Sequence, residues 1–133
     1  SGILSVSALR LGAASAVGVD IDPSAEHIAA ANAAQNGFGP DRFTARTGDV
    51  VEDEVFLQAL AGDGFDIVCA NIVADVIIAL AGAVRPLMKE GGTFICSGII
   101  DDRAEEVRSR LEENGFAVEE ANQSEGWFSF VCR

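Results

Sequence analysis

Four short stretches of the 133-residue chain set polar or acidic side chains directly behind apolar runs: Asp20-Ile21-Asp22, Gly48-Asp49-Val50, Asn71-Ile72-Val73-Ala74-Asp75 and Ser97-Gly98-Ile99-Ile100. An acid that closes a strand can accept both hydroxyls of a ribose, because its two oxygens carry enough lone pairs for two donors at once. Asp20 has that position at the end of SAVGVD, and Gly2 lies ahead of it at close to the spacing that separates a phosphate- or nucleoside-binding glycine turn from its ribose acid. Asp22 directly precedes Pro23 and reads instead as the cap of the next helix. Two roles are open to Asp49: acceptor for the exocyclic amine of an adenine, or turn aspartate in TGD. Asn71 closes FDIVCA with an amide that can both accept and donate. His27 reads as a surface residue of an alanine-rich helix. Glu52, Asp53 and Glu54 read as a solvated helix start, and Trp127 as core or edge packing rather than a substrate platform.

These positions matter because of the elements that carry them. Apolar residues recur at helical spacing over 3–11, and a short β-branched strand covers 15–20. A helix runs from Pro23 to about Asn36, with Gly37 as its stop. A strand at 42–49 and a short helix at 52–61 follow. FDIVCAN (65–71) is continuously apolar, as expected for a strand buried on both faces. A helix at 75–88, a strand at 91–96 and a helix opening at Asp102, with Glu105 completing a capping box, come next. Strands 116–121 and 127–132, joined by the five residues NQSEG, read as an antiparallel hairpin. Alternation of this kind specifies an α/β sandwich with a mostly parallel sheet, in which ligands bind at the carboxyl ends of strands. The order begins on a helix, so a strand is expected ahead of residue 1. Without it, inner strand edges would be unpaired.

Composition narrows the function classes. Hydrophobic residues make up 49% and mean hydropathy is +0.26, enough for one real core. Nine Lys and Arg stand against 21 Asp and Glu, a formal charge of −12, which disfavours a nucleic-acid partner. With one histidine and no CxxC, no zinc or other metal site is expected. Cys69, Cys96 and Cys132 each lie in an apolar run and read as small buried thiols of a reducing compartment. The apolar run 76–84 is too short to cross a bilayer. No signal or lipidation motif is present, so no membrane partner and a cytoplasmic location are expected.

The run SGILSVSALRLGA…VGVDIDP, the segment NIVADVI and the later SGII together resemble the ribosomal protein L11 methyltransferase family, along nearly all of the chain. VDIDP is widespread among class I methyltransferases, whereas Asn71-Ile72-Val73-Ala74, where the family usually shows Asn-Ile-Leu-Ala, is much more specific. The resemblance implies a Rossmann-like class I methyltransferase sandwich with an antiparallel C-terminal hairpin and its first strand missing. It implies S-adenosylmethionine as cofactor, and N-methylation of amino groups on a ribosomal protein substrate. Gly2, Asp20, Ile21, Asp49, Val50 and Asn71 are the implied cofactor residues, with Asp20 on the ribose. Asn71 and Ile72 are the implied catalytic positions, and the carbonyls of Ile72 and Val73 would orient the target amine. Relatives to the family pattern, residues 1–133 form one S-adenosylmethionine-binding domain, incomplete at its N-terminus and without the family's separate substrate-recognition domain.

Three other functions compete. A nicotinamide-dependent Rossmann oxidoreductase also carries a ribose acid after its second strand, but NIVA and the terminal hairpin favour the methyltransferase. Enzymes that methylate an amino nitrogen of a flipped base often follow their asparagine with prolines and an aromatic. Ile72, Val73 and Ala74 offer no such stacking face. An inactive truncated domain that binds no cofactor is the last alternative.

Overall fold

The computed structural model describes all of residues 1–133. The helices are α1 (Ile3–Arg10), α2 (Pro23–Gln35), α3 (Glu54–Ala61), α4 (Ala74–Ala81) and α5 (Asp101–Glu113). The strands are β1 (Ala16–Asp20), β2 (Phe43–Thr47), β3 (Phe65–Asn71), β4 (Met88–Ile100), β5 (Val118–Ser124) and β6 (Trp127–Cys132), with a 3-10 turn at Arg85–Leu87. The order of helices and strands is the expected one. The chain forms two compact units, Ser1–Asp49 and Val50–Arg133.

In the first unit β1 and β2 pair in parallel, from Ala16 opposite Phe43 to Asp20 opposite Thr47. Its core is small: Leu9, Ala29, Ala33 and Phe43. Asp22 caps α2 as expected. Its carboxylate accepts from the Ser24 amide at 2.9 Å and the Ser24 hydroxyl at 2.8 Å. These bonds, the backbone one first, hold its carboxyl below the usual aspartate value.

The second unit is a four-stranded sheet in the order β3-β4-β6-β5. β3 and β4 are parallel, while β6 is antiparallel to both of its neighbours. One face carries Phe94, Cys96, Ile99, Phe130 and Cys132, all buried in a core that includes Ile77 and Leu80 from α4 and Val107 and Leu111 from α5. This burial drives the unit's folding, at about 25 cal/mol per Å² of apolar surface.

Several local expectations change. β3 is not buried on both faces: Ala70 is buried, but Ile67 is 60% exposed and Cys69 is exposed as well. The helices of this unit cover only the face that Ala70 shares with Phe94 and Cys96, so Cys69 is not among the buried thiols. The helix expected over 75–88 stops at Ala81, with Gly82 at its end and Pro86 inside the separate 3-10 turn. The capping box at Asp102 is absent. α5 starts at Asp101, its cap position is Ile100, and Asp101 accepts instead from Gln123 Nε2 at 3.1 Å. The hairpin loop is two residues long rather than five, because β5 continues through Asn122-Gln123-Ser124 as a polar edge strand. Glu125 and Gly126, at φ 52° and 86°, make the tight turn whose twist matches its strands.

Candidate functional site

On the first unit, Gly2, Asp20, Ile21 and Asp49 stand at the ends of its elements. Gly2 caps α1 at φ 75°, and a Cβ there would lie 3.1 Å from that of Ala29 on α2. Asn32 Nδ2 donates to the Ser1 carbonyl at 2.9 Å, tying the same turn to α2. Gly2 is thus demanded by backbone conformation and by helix packing. Asp20 closes β1 and is exposed, and its Oδ1 accepts from the Asp22 amide at 2.9 Å. That bond fixes the Asp20 carboxylate at the strand's carboxyl end, while Asp22 caps the helix. Ile21 is 72% exposed beside it, and Asp49 is half-buried after β2.

On the second unit, Val50 is half-buried at its start, while Asn71 and Ile72 stand at the carboxyl end of β3. There the chain does something that spacing alone did not reveal. β4 gains one residue relative to β6 between Cys96 and Ile99, a β-bulge. Gly98 sits in it at φ 80°. A Cβ on Gly98 would lie 2.5 Å from Asn71 Oδ1 and 3.2 Å from the Ile72 carbonyl oxygen. Asn71 Oδ1 and the Ile72 carbonyl oxygen therefore pack so closely on the backbone of residue 98 that only glycine fits there. The Ile72 amide donates to the Ser97 carbonyl at 3.3 Å, and Asn71 is in register with Ser97. NIVA and SGII, distant in sequence, are one local structure.

The two carbonyls expected to orient an amine are not equivalent. The Val73 carbonyl accepts from the Val76 and Ile77 amides, both at 3.1 Å, in the first turn of α4. Its lone pairs are consumed by the helix, whereas the Ile72 carbonyl lies outside α4 and packs against Gly98. The start of α4 is fixed in turn by Arg103, which donates to Asp75 at 2.6 Å and Glu106 at 2.9 Å. Those carboxylates, Glu106 first, raise the guanidinium pKa further. Ser97 and Gly98 share one local structure with Asn71 and Ile72. The sequence signal for them was a glycine inside an apolar strand, a mark of a bulge or a close approach. Trp127 is neither core nor sheltered edge: it is 53% exposed.

Comparison with known proteins follows the same lines. The family model described as ribosomal protein L11 methyltransferase (PrmA) matches residues 1–133. A ribosomal protein L11 methyltransferase of Lachnospira eligens is 38% identical over 134 residues, covering 100% of this chain and 42% of the relative. The chain thus spans about two fifths of that protein's length. The crystal structure of a ribosomal protein L11 methylase from Lactobacillus delbrueckii subsp. bulgaricus superposes with a TM-score of 0.87 at 26% identity, covering 99% of this chain and 64% of that one. An RNA methyltransferase from Salinibacter ruber in complex with S-adenosyl-L-homocysteine shares the fold, at TM-score 0.69 and 20% identity, over 98% of this chain and 72% of that one. The fold is that of the class I methyltransferases, and the chain belongs to the ribosomal protein L11 methyltransferase family.

Proposed function

We propose that residues 1–133 form the S-adenosylmethionine-binding domain of an N-methyltransferase that acts on amino groups of ribosomal protein L11. The observation that carries this reading is the seat of Asn71 and Ile72 on Gly98. It gathers two acceptor oxygens at the end of a parallel strand, in the segment most specific to the family. The chemistry of the donor set fits the cofactor. On the first unit Asp20 offers carboxylate oxygens to a ribose diol, beside Gly2, Ile21 and Asp49, and on the second Val50 is a proposed position for the cofactor. Asn71 serves its amino-acid part.

When bound, S-adenosylmethionine supplies an electrophilic methyl group on a sulfonium. The chain's own residues then act by position. Asn71 Oδ1 and the Ile72 carbonyl accept N–H bonds from the target amine and hold its lone pair on line, so orientation supplies most of the rate. Val73 anchors α4 and leaves that task to Ile72. No side chain here is assigned as base, and the amine's proton leaves to water.

Isothermal titration with S-adenosylhomocysteine and with NAD tests the reading. Binding of the first is expected. Asp20→Ala should weaken it about 10- to 100-fold, the loss of hydrogen bonds to a charged group. Heat with NAD and none with S-adenosylhomocysteine would overturn the assignment. Methyl transfer to L11, followed by mass, tests the substrate.

A further inference from the structure

In the first unit β2 pairs with β1 on one side only, and a hollow of about 400 Å³ lies along its open edge, lined by Pro23, Glu26, His27 and Ala30 of α2 and by Ala45 and Thr47 of β2. We propose that this edge pairs antiparallel with the β2 edge of a second copy of the chain, joining two first units into a four-stranded sheet in the order β1-β2-β2-β1. The pairing goes beyond the methyltransferase reading and does not depend on it.

The backbone of β2 is complementary to itself. The Ala16 amide donates to the Arg42 carbonyl at 2.9 Å, and the Gly48 amide donates to the Asp20 carbonyl at 3.0 Å. The even-numbered residues between them therefore bond to β1, and Phe43, Ala45 and Thr47 turn their backbone groups to the open edge. Of these groups the Phe43 amide is already used, donating to the Gly39 carbonyl at 2.9 Å. With Ala45 set opposite Ala45 of the second copy, the two Ala45 amides donate to the two Ala45 carbonyls, and each Thr47 amide donates to the other copy's Phe43 carbonyl. The register needs nothing from the occupied Phe43 amide. Side chains agree with it: Thr44 falls opposite Arg46 and Phe43 opposite Thr47, so no like charges meet directly. β2 also lacks the usual guards of an edge, having no proline, no bulge and no charge on the face it shares with α2. The outer edge of the second unit, β5, carries Glu119 and Glu120.

The hollow gives the helices room. α2 packs over both β1 and β2, and the Thr47 hydroxyl donates to Glu26 Oε2 at 2.5 Å. One helical turn from Glu26 to Ala30 covers about 6 Å, and the two strand residues from Thr47 back to Ala45 cover about 6.6 Å. Ala30 is thereby set over Ala45, at the two-fold axis of the pairing. The two copies of α2 then stand about two strand spacings apart, roughly 10 Å, a packing distance that small side chains at the contact permit. Each copy's α2 fills the other's hollow.

Sedimentation equilibrium of the 133-residue chain should show a mass that rises with concentration from 13.9 kDa towards twice that value. In amide exchange, Ala45 and Thr47 should gain protection as concentration rises, while Thr44 and Arg46, which face β1, stay as they are. Ala45→Pro removes an outward donor at an edge position, where proline is tolerated. Ala30→Arg puts a long cation at the axis from an exposed helix position that accepts it without loss of fold. Each should weaken association about 10-fold or more, and Asn122→Arg on the β5 edge should leave it unchanged. Circular dichroism checks the fold of each variant, and Ala30→Arg decides if Ala45→Pro does not fold. A single 13.9 kDa species up to about 1 mM would overturn the pairing. So would association that survives Ala30→Arg, exchange at Ala45 and Thr47 that ignores concentration, or association lost in Asn122→Arg, which would place the contact on β5.

Discussion

The two units are built on the same βα logic but to different depths. Val50–Arg133 lays α4 and α5 on a four-stranded sheet and buries large side chains completely, among them Phe94, Phe130, Ile77 and Ile99. Ser1–Asp49 has two strands, and two of its four buried core residues are alanines. Ile3 and Ile28 remain 68% and 51% exposed on its helices, and Leu11, just past α1, is 88% exposed. Depth of core and precision of site run together here. The deeper unit sustains a bulge with left-handed backbone and a seated amide. The shallower one holds the Asp20 carboxylate in a simple turn at a strand end.

Core truncations test that contrast most strongly. Phe94→Ala removes a fully buried ring that also lies 5.5 Å from the ring of Phe116, and should cost about 3–5 kcal/mol by denaturant unfolding. Phe43→Ala removes a ring from a four-residue cluster whose surrounding side chains, Val6, Ala13, Ala16, Phe38 and Ala45, are only partly buried and can close inward. About 3 kcal/mol or less is expected there. An equal or larger loss for Phe43→Ala would show that the first unit's core is as decisive as the second's.

The paired glycines sharpen the comparison at an intermediate level. Gly98→Ala forces a side chain into left-handed backbone and into Asn71 Oδ1, and should cost about 2–3 kcal/mol while displacing the amide. Gly2→Ala carries the same φ penalty but meets only the Ala29 methyl at 3.1 Å, which can yield by a few tenths of an ångström. About 1–2 kcal/mol is expected. Denaturant midpoints rank the two, and the Asn71 side-chain amide resonances show which variant moves it. Gly2→Ala shifting Asn71 more than Gly98→Ala does would contradict the local account of the seat.

Much of this was legible in the sequence. The order of elements follows from periodicity and glycine stops, and β3 and β6 begin and end where their apolar runs do. The cap role of Asp22 follows from Pro23 directly behind it. What was hidden depends on partners in space. Apolar content in β3 could not tell that Ile67 and Cys69 lie on a face no helix of their unit covers. Asn122-Gln123-Ser124 looked like loop because polar residues in an edge strand carry no alternation to detect. The contact between Asn71 and Gly98 needed the register of β3 on β4 and the bulge of β4 against β6. The spent carbonyl of Val73 needed the start of α4.

The smallest effect expected is confined to the first unit and depends on pH. The folded Asp22 carboxyl is held below its ordinary value of 3.8 by the Ser24 amide and hydroxyl. A depressed folded pKa contributes stability that is fully present above the unfolded value and is lost as pH falls through the folded one. Protection of the first turn of α2 in amide exchange should therefore hold from neutral pH down to about 4 and fade below it. Asp22→Asn, which keeps an acceptor but no charge, should leave that turn less protected at neutral pH and remove this carboxyl's share of the acid response. A decline that begins well above 3.8, or one that is unchanged in Asp22→Asn, would assign the acid sensitivity of this unit to a group other than its helix cap.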